Sequence, residues 1–390
     1  MTIGVPIESC SGERRVALIP ASVSALVKSG CAVHIQAGSG QEAGFPDQMY
    51  ETAGARIVTD RGAVFEASDI LIQVRGAGAN PESGNEDLSR LREGQTLIGF
   101  LDPLSTPDAV SALAEKRVTS FAMELIPRVS RAQSMDALSS QANISGYKSA
   151  LMAANMLPRL FPLMMTAAGT ISPAKIFVMG VGVAGLQAIA TCKRLGAVIQ
   201  AYDVRPTVKD QVESVGAHFV TMELDTGSSE GSGGYAKAMD ETFYRKQREL
   251  MAKVVAENDV VITTAAVPGK RAPILVTEDM VKSMRPGSVI IDLAAERGGN
   301  CECTEPGHTV VKHGVTVVGT VNMPSTAPYH ASQMYASNIV NFLKLMIKDG
   351  AFDSNTADEI VQESTVTRNG EVINARVREA LGLAPIPKTA

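Results

Sequence analysis

Gly180, Gly182 and Gly185 stand in the spacing G-x-G-x-x-G, directly after an apolar run at 176–179 and at the head of a helical stretch at 186–195. That context suits the capture of a pyrophosphate. Gly180 permits a tight turn, Gly182 lets the backbone approach the anion, and Gly185 lets helix and strand pack closely. Val181, Val183 and Ala184 fill the intervening positions, and the helix N-terminus offers unpaired N–H groups. Asp203 ends the next apolar run, 23 residues after Gly180. A carboxylate there accepts hydrogen bonds from a ribose diol and repels a 2′-phosphate. Arg205, after Val204, argues the other way, because an arginine nearby can hold that phosphate. Asp203 sits at the strand end itself and weighs more, so the expected nucleotide is NAD(H). Thr264, Ala265 and Ala266, at the end of a later apolar run, are read as belonging to the same site. The plain alternative is a glycine turn in an α/β protein that binds no nucleotide.

A second polar constellation, Arg128, Gln133, Asp136 and Ser139, precedes a helical stretch at 139–157. It could position a nicotinamide ring, or it could be a capped loop in which Arg128 and Asp136 form a structural ion pair. The residues alone leave both open. Oxidation of an amino acid moves a proton as well as a hydride and needs a placed acid–base group. None of the five histidines (His34, His218, His308, His313, His330) sits in a segment expected over the nicotinamide. Hydride transfer between two nicotinamides needs no such group, only ring positioning and exclusion of water. Cys301 and Cys303 lack further ligands at matching spacing, so no metal is expected.

The elements that must position these residues form a repeating pattern. Apolar runs at 3–6, 32–36, 56–58, 70–74, 96–100 and 118–121 alternate with helical stretches such as 20–29 and 107–116. The pattern restarts with strands expected at 175–179, 198–202, 260–264, 289–293 and 316–321, separated by helices at 185–195 and 276–284. A helix is expected over 332–348, and Asn369–Gly370 between 365–368 and 371–375 has the composition of a tight hairpin turn. The expected fold class is α/β, with two Rossmann-like doubly wound domains and a cleft between them. The first is assigned to 1–140 plus 327–390. The second, 141–326, is the NAD-binding domain inserted into it.

The chain has 390 residues and is 45% hydrophobic, enough for two full cores. Its formal net charge of −5 gives no electrostatic footprint for nucleic acid. The odd, scattered set of five cysteines points to a reducing compartment. The best membrane-span candidate, 149–168, is interrupted by Pro158, Arg159 and Pro162, so a buried helix and turn are expected there and no direct span. No signal peptide is visible. Residues 226–234 hold four glycines and three serines, the composition of a flexible surface loop.

The stretch Glu13-Arg14-Arg15-Val16-Ala17 and the fingerprint from Gly180 to Asp203 resemble both alanine dehydrogenase and domain I of proton-translocating transhydrogenase. Three motifs separate the two. The stretch from Pro127 through Arg128, Gln133 and Ser134 to Asp136 resembles the Arg-Gln-Asp loop of transhydrogenase. The run from Gly180 through Gln187 to Thr191 is close to the form typical of that family. Gly233-Gly234-Tyr235-Ala236-Lys237 with Met239 looks like its mobile loop. Alanine dehydrogenase uses a substrate-binding lysine and a catalytic histidine, yet the corresponding stretches here read Ile72-Gln73-Val74-Arg75 and Ile98-Gly99-Phe100-Leu101-Asp102-Pro103. Arg15 is shared by both families and decides nothing.

The resemblance implies that Arg128, Asp136 and Ser139 hold the nicotinamide end of NAD(H) and that Gln133 reaches toward a second nucleotide. Gly234, Tyr235 and Met239 would close over the bound NAD(H). It further implies a homodimer, NADP(H) on a partner subunit, and membrane-spanning partner subunits that keep this chain at the cytoplasmic face of the membrane. Two other readings stand beside it: a self-contained amino-acid dehydrogenase of the alanine dehydrogenase type, and an NAD-binding regulatory module.

Overall fold

In the computed structural model the described residues are 1–221, 241–267, 269–348, 350–354 and 357–385, with only the backbone described over 241–247. The chain divides into two compact units, Met1–Gln141 with Ser325–Ala390, and Ala142–Pro324. The helix Ala137–Met156 contains the first point of division.

The first unit is built on an eight-stranded sheet. Its order is Glu371–Val372, Thr365–Arg368, Thr119–Ala122, Thr96–Phe100, Ile70–Arg75, Thr2–Val5, Ala32–Gln36, Arg56–Val58. The last six are mutually parallel. Apolar runs form these strands because both faces are covered. Ile70, Ile72 and Val74 enter one core and Leu71 the other. The C-terminal hairpin adds two antiparallel strands, and its turn residues Asn369 and Gly370 take φ of 52° and 88°, the left-handed pair such a turn requires.

The helix expected over 332–348 is displaced. It runs Pro328–Leu343, with proline in its first turn, where the missing N–H costs nothing. Beyond Leu343 the chain turns, and Ile347–Lys348 pairs with Ala351–Phe352. The apolar run through Leu345 and Met346 mimicked helical continuation, but Met346 joins the core from that turn.

The second unit carries a seven-stranded sheet. The order is His218–Phe219, Val198–Tyr202, Lys175–Met179, Val260–Thr263, Val289–Asp292, Val315–Gly319, Thr309–Lys312, with only the last strand antiparallel. Two cores again lie on opposite faces: Ile176 and Val178 in one, Phe177 and Met179 in the other. The helix expected over 276–284 is Glu278–Ser283, because the Thr277 hydroxyl accepts the Met280 N–H and caps it.

The reading of 149–168 as a buried helix and turn holds only in its first half. The helix ends at Met156, and Met164–Thr166 then pairs with Gly169–Ile171 in a hairpin whose six strand residues are all exposed. Apolar composition misled because Leu163 and Met165 face outward. Among the described residues no helix is long and apolar enough to cross a membrane.

Candidate dinucleotide site

In a parallel sheet of this order the strand order reverses between Lys175–Met179 and Val260–Thr263, and ligands of such sheets lie at the carboxyl ends of the strands at that point. The glycine turn leaves the first of these strands there. Gly180 has φ of 93°, and a Cβ on it would stand 2.8 Å from Thr264 Oγ1. A Cβ on Gly185 would stand 2.0 Å from the Gly180 carbonyl oxygen, so the helix Val183–Arg194 can approach its strand only without a side chain there. Gly182 is different: a Cβ on it would meet no described atom within 4 Å. It occupies the cap position of the helix and offers no side-chain acceptor to the first-turn N–H groups of Val183, Ala184 and Gly185.

Asp203, just past the strand Val198–Tyr202, lies against this turn. Its Oδ2 accepts the Val181 N–H at 2.7 Å, and its Oδ1 accepts the Arg205 N–H at 2.9 Å. The Arg205 guanidinium bonds both carboxylate oxygens, at 2.9 and 3.0 Å, and also donates to the Val181 carbonyl at 3.2 Å. Val204 lies between them in the chain. On the other side of Gly180, the Thr264 hydroxyl donates to the Gly180 carbonyl at 2.8 Å and the Thr264 N–H to that of Met179 at 2.9 Å. Ala265 and Ala266 follow. The structure thus brings together residues 180–185, 203–205 and 264–266. Gly234, Tyr235 and Met239 fall in 222–240, outside the described residues.

Arg128, Gln133, Asp136 and Ser139 belong to the first unit, on and around the turn Ser130–Met135 and the start of the helix after it. Arg128 and Gln133 are exposed. Asp136 accepts the Ser139 N–H at 2.8 Å and the Ser139 hydroxyl at 2.5 Å, so it caps the helix while some of its surface stays open. Asn338 donates to the Ser134 carbonyl at 2.9 Å and secures the turn from the helix Pro328–Leu343.

Two groups of polar residues escaped the sequence reading. In the second unit, buried Asp292 and Asn300 stand behind the 264–266 segment. The signal was present: an aspartate ending an apolar run, followed by Gly298-Gly299-Asn300. In the first unit, acids gather at the carboxyl ends of its strands. Glu8 accepts the Val74 and Arg75 N–H groups at 2.6 and 3.0 Å. Burial, aided by the nearby Glu13 charge, pushes its carboxyl up to about 8. Burial also raises Glu13, but the bidentate Arg15 guanidinium, at 2.7 and 2.6 Å, outweighs it and holds that carboxyl below its ordinary value. Arg75 lies 3.4 Å from the same carboxylate. Glu124 accepts the Leu101 and Asp102 N–H groups, its Oε2 has no partner among the described residues, and burial pushes it to about 7. Arg75 therefore sits on an acid, and the loop after the strand Thr96–Phe100 is pinned by Glu124.

Fold and turn together define a two-unit α/β chain with a dinucleotide-type crossover in its second unit. Models of the alanine dehydrogenase/PNT N-terminal and C-terminal domains match residues 4–145 and 149–375, and the chain belongs to that family. It is 46% identical over 380 residues to the Rhodospirillum rubrum protein that forms the first portion of NAD(P) transhydrogenase subunit alpha, covering 96% of this chain and 98% of that one. The solved transhydrogenase from Sinorhizobium meliloti superposes with a TM-score of 0.85 at 44% identity, covering 96% of this chain and 100% of that chain. Alanine dehydrogenase of Bacillus subtilis is 29% identical over 395 residues, covering 99% of this chain and 96% of that protein.

Proposed function

We propose that this chain is the NAD(H)-binding component of a proton-translocating transhydrogenase. The observation that carries the reading is Asp203 seated against the Gly180–Gly185 turn at the point where the strand order reverses. The turn and the first N–H groups of its helix take the pyrophosphate. Asp203 accepts from the adenosine ribose, and Thr264, Ala265 and Ala266 line the opposite side of the turn. Arg128, Asp136 and Ser139 hold the nicotinamide end, and Gln133 addresses the nucleotide of the partner. Open space at Gly182 and a helix start without a side-chain cap suit such a ligand.

NADH supplies the hydride, which passes to NADP⁺ on an NADP(H)-binding partner subunit, and membrane-spanning partner subunits couple the transfer to proton movement. The residues of this chain orient the ring and exclude water; none needs to move a proton. The chain works as a homodimer held at the cytoplasmic membrane face by those partners. The 46% identity to a transhydrogenase subunit, against 29% to an alanine dehydrogenase, supports the transhydrogenase reading over the dehydrogenase one, and so does the lack of a lysine in the stretch Ile72-Gln73-Val74-Arg75. The test is to mix the protein with an NADP(H)-binding transhydrogenase domain and follow hydride exchange between NADH and an NADP⁺ analogue. Exchange dependent on both proteins is expected. Absence of exchange, or oxidation of alanine by this chain alone, overturns the reading.

A further inference from the structure

Asp292 ends the strand Val289–Asp292 with its side chain fully buried, and five donors converge on its carboxylate. Oδ1 accepts the Thr263 hydroxyl at 3.0 Å and the Ala294 N–H at 2.9 Å. Oδ2 accepts the N–H groups of Asn300 and Cys301 at 2.7 and 3.1 Å and the Thr304 hydroxyl at 2.7 Å. The backbone reaches this position through Gly298 and Gly299, at φ of 93° and 79°, and a Cβ on Gly299 would stand 2.9 Å from Asp292 Oδ2. A carboxylate satisfied by five oriented dipoles is a rigid anchor in a low-dielectric interior.

The group it anchors is Asn300, which is also fully buried. The Asn300 carboxamide grips both backbone groups of one residue: Oδ1 accepts the Ala265 N–H at 3.0 Å, and Nδ2 donates to the Ala265 carbonyl at 2.9 Å. The second Nδ2 hydrogen goes to the Pro273 carbonyl at 2.8 Å. Ala265 adjoins the glycine turn so closely that its nitrogen would stand 3.0 Å from a Cβ on Gly180. The same segment bonds the turn directly, since the Thr264 hydroxyl donates to the Gly180 carbonyl at 2.8 Å.

We propose that Asn300 is a positioning residue of the dinucleotide site, with Asp292 as its anchor, and that it preforms the 264–266 segment for the non-adenosine half of NAD(H). The inference rests on the NAD(H) reading above. The half is assigned by strand order. Val198–Tyr202, Lys175–Met179 and Val260–Thr263 lie side by side, so Asp203, Gly180 and Thr264 follow one another along the carboxyl edge. With the adenosine ribose on Asp203 and the pyrophosphate on the turn, the 264–266 segment meets what remains of the nucleotide.

The test is calorimetric titration of NADH and of 5′-AMP into the unmodified chain and into Asn300→Ala. NADH affinity in the variant falls about tenfold, the loss expected from roughly one to two net hydrogen bonds, while AMP affinity stays within about twofold. Unchanged NADH affinity overturns the proposal, and so does an equal loss of both ligands, which would mark a general structural role. An unmodified chain that binds neither nucleotide overturns the NAD(H) reading itself, a result distinct from either. Should Asn300→Ala not fold, Asn300→Asp, equal in size but lacking the two N–H donors, carries the same comparison. In the unmodified chain the Ala265 amide should also be protected from hydrogen exchange before NADH is added. Exchange at the unfolded rate without ligand overturns the preformed segment.

Discussion

Arg205 and Asp203, two residues apart, are locked together: Nε donates to Oδ1 at 2.9 Å and an Nη to Oδ2 at 3.0 Å, with the Val181 N–H sharing Oδ2. The arginine that could have held a 2′-phosphate is thus held by the aspartate that would repel one. NADH is expected to bind more tightly than NADPH, as measured by titrating both through their own fluorescence. Asp203→Asn, which removes the negative charge and loosens Arg205, should narrow the difference. Equal or tighter NADPH binding by the unmodified chain would assign Arg205 to the phosphate.

The three glycines should separate fold from ligand. Gly185→Ala drives a Cβ to 2.0 Å from a backbone oxygen that cannot yield, so both the melting temperature and NADH binding should fall. Gly182→Ala meets no described atom within 4 Å, so stability should change by less than about 0.5 kcal/mol. NADH affinity should nevertheless drop, because the methyl group stands where the pyrophosphate approaches. A Gly182→Ala protein that binds NADH normally would place the phosphates elsewhere.

In the polar loop, Gln133→Ala should slow hydride transfer in the reconstituted complex by on the order of 100-fold, with the melting temperature unchanged, since Gln133 is exposed. Asp136→Ala should also remove a helix cap and cost about 1 kcal/mol, so its kinetic effect is best read beside Asp136→Asn. Arg131 pairs with Asp358 at 2.7 Å on the surface. Arg131→Ala serves as the control and should leave transfer intact. A Gln133→Ala protein with undiminished transfer would remove Gln133 from the site.

The acids of the first unit predict a pH dependence of stability. Glu8 titrates near 8 in the folded chain against an ordinary 4.5. Between those values the unfolded chain has lost the proton that the folded chain retains. Stability therefore falls as pH rises through this window, by at most about 1.4 kcal/mol per pH unit for one such group. Glu124, near 7, acts in the same direction over a narrower range. Glu8→Gln removes the charge, keeps one acceptor oxygen where the carboxylate offered two to the Val74 and Arg75 N–H groups, and should flatten the dependence. Denaturant melts of both proteins from pH 5 to 8 check it, and parallel curves would show that Glu8 does not titrate in this window.

Much of the fold was legible because local chemistry dictates it. Runs such as Ile70–Val74 and Ile176–Met179 must be buried on both faces, and only strands under two layers of helix bury them. Asn369-Gly370 was legible as a turn because few residues tolerate positive φ in succession. The spacing of Gly180, Gly182 and Gly185 was legible for a related reason. Gly180 and Gly185 answer a backbone demand made within six residues, and Gly182 leaves room beside the turn.

What the tertiary structure alone decided depends on contacts with residues far away in the chain. Asn300 meets Ala265 across 35 residues, and Asp292 meets Thr263 across 29. Glu8 takes its raised proton affinity from burial, at a place where it bonds a strand end 66 residues on. The exposed hairpin at 164–171 and the turn after Leu343 have compositions that suit burial or helix equally well. Periodicity and spacing report what a residue does to its own stretch of backbone. Which buried donor finds which acceptor, and which apolar side chain is left outside, is settled only when separate strands and loops pack together.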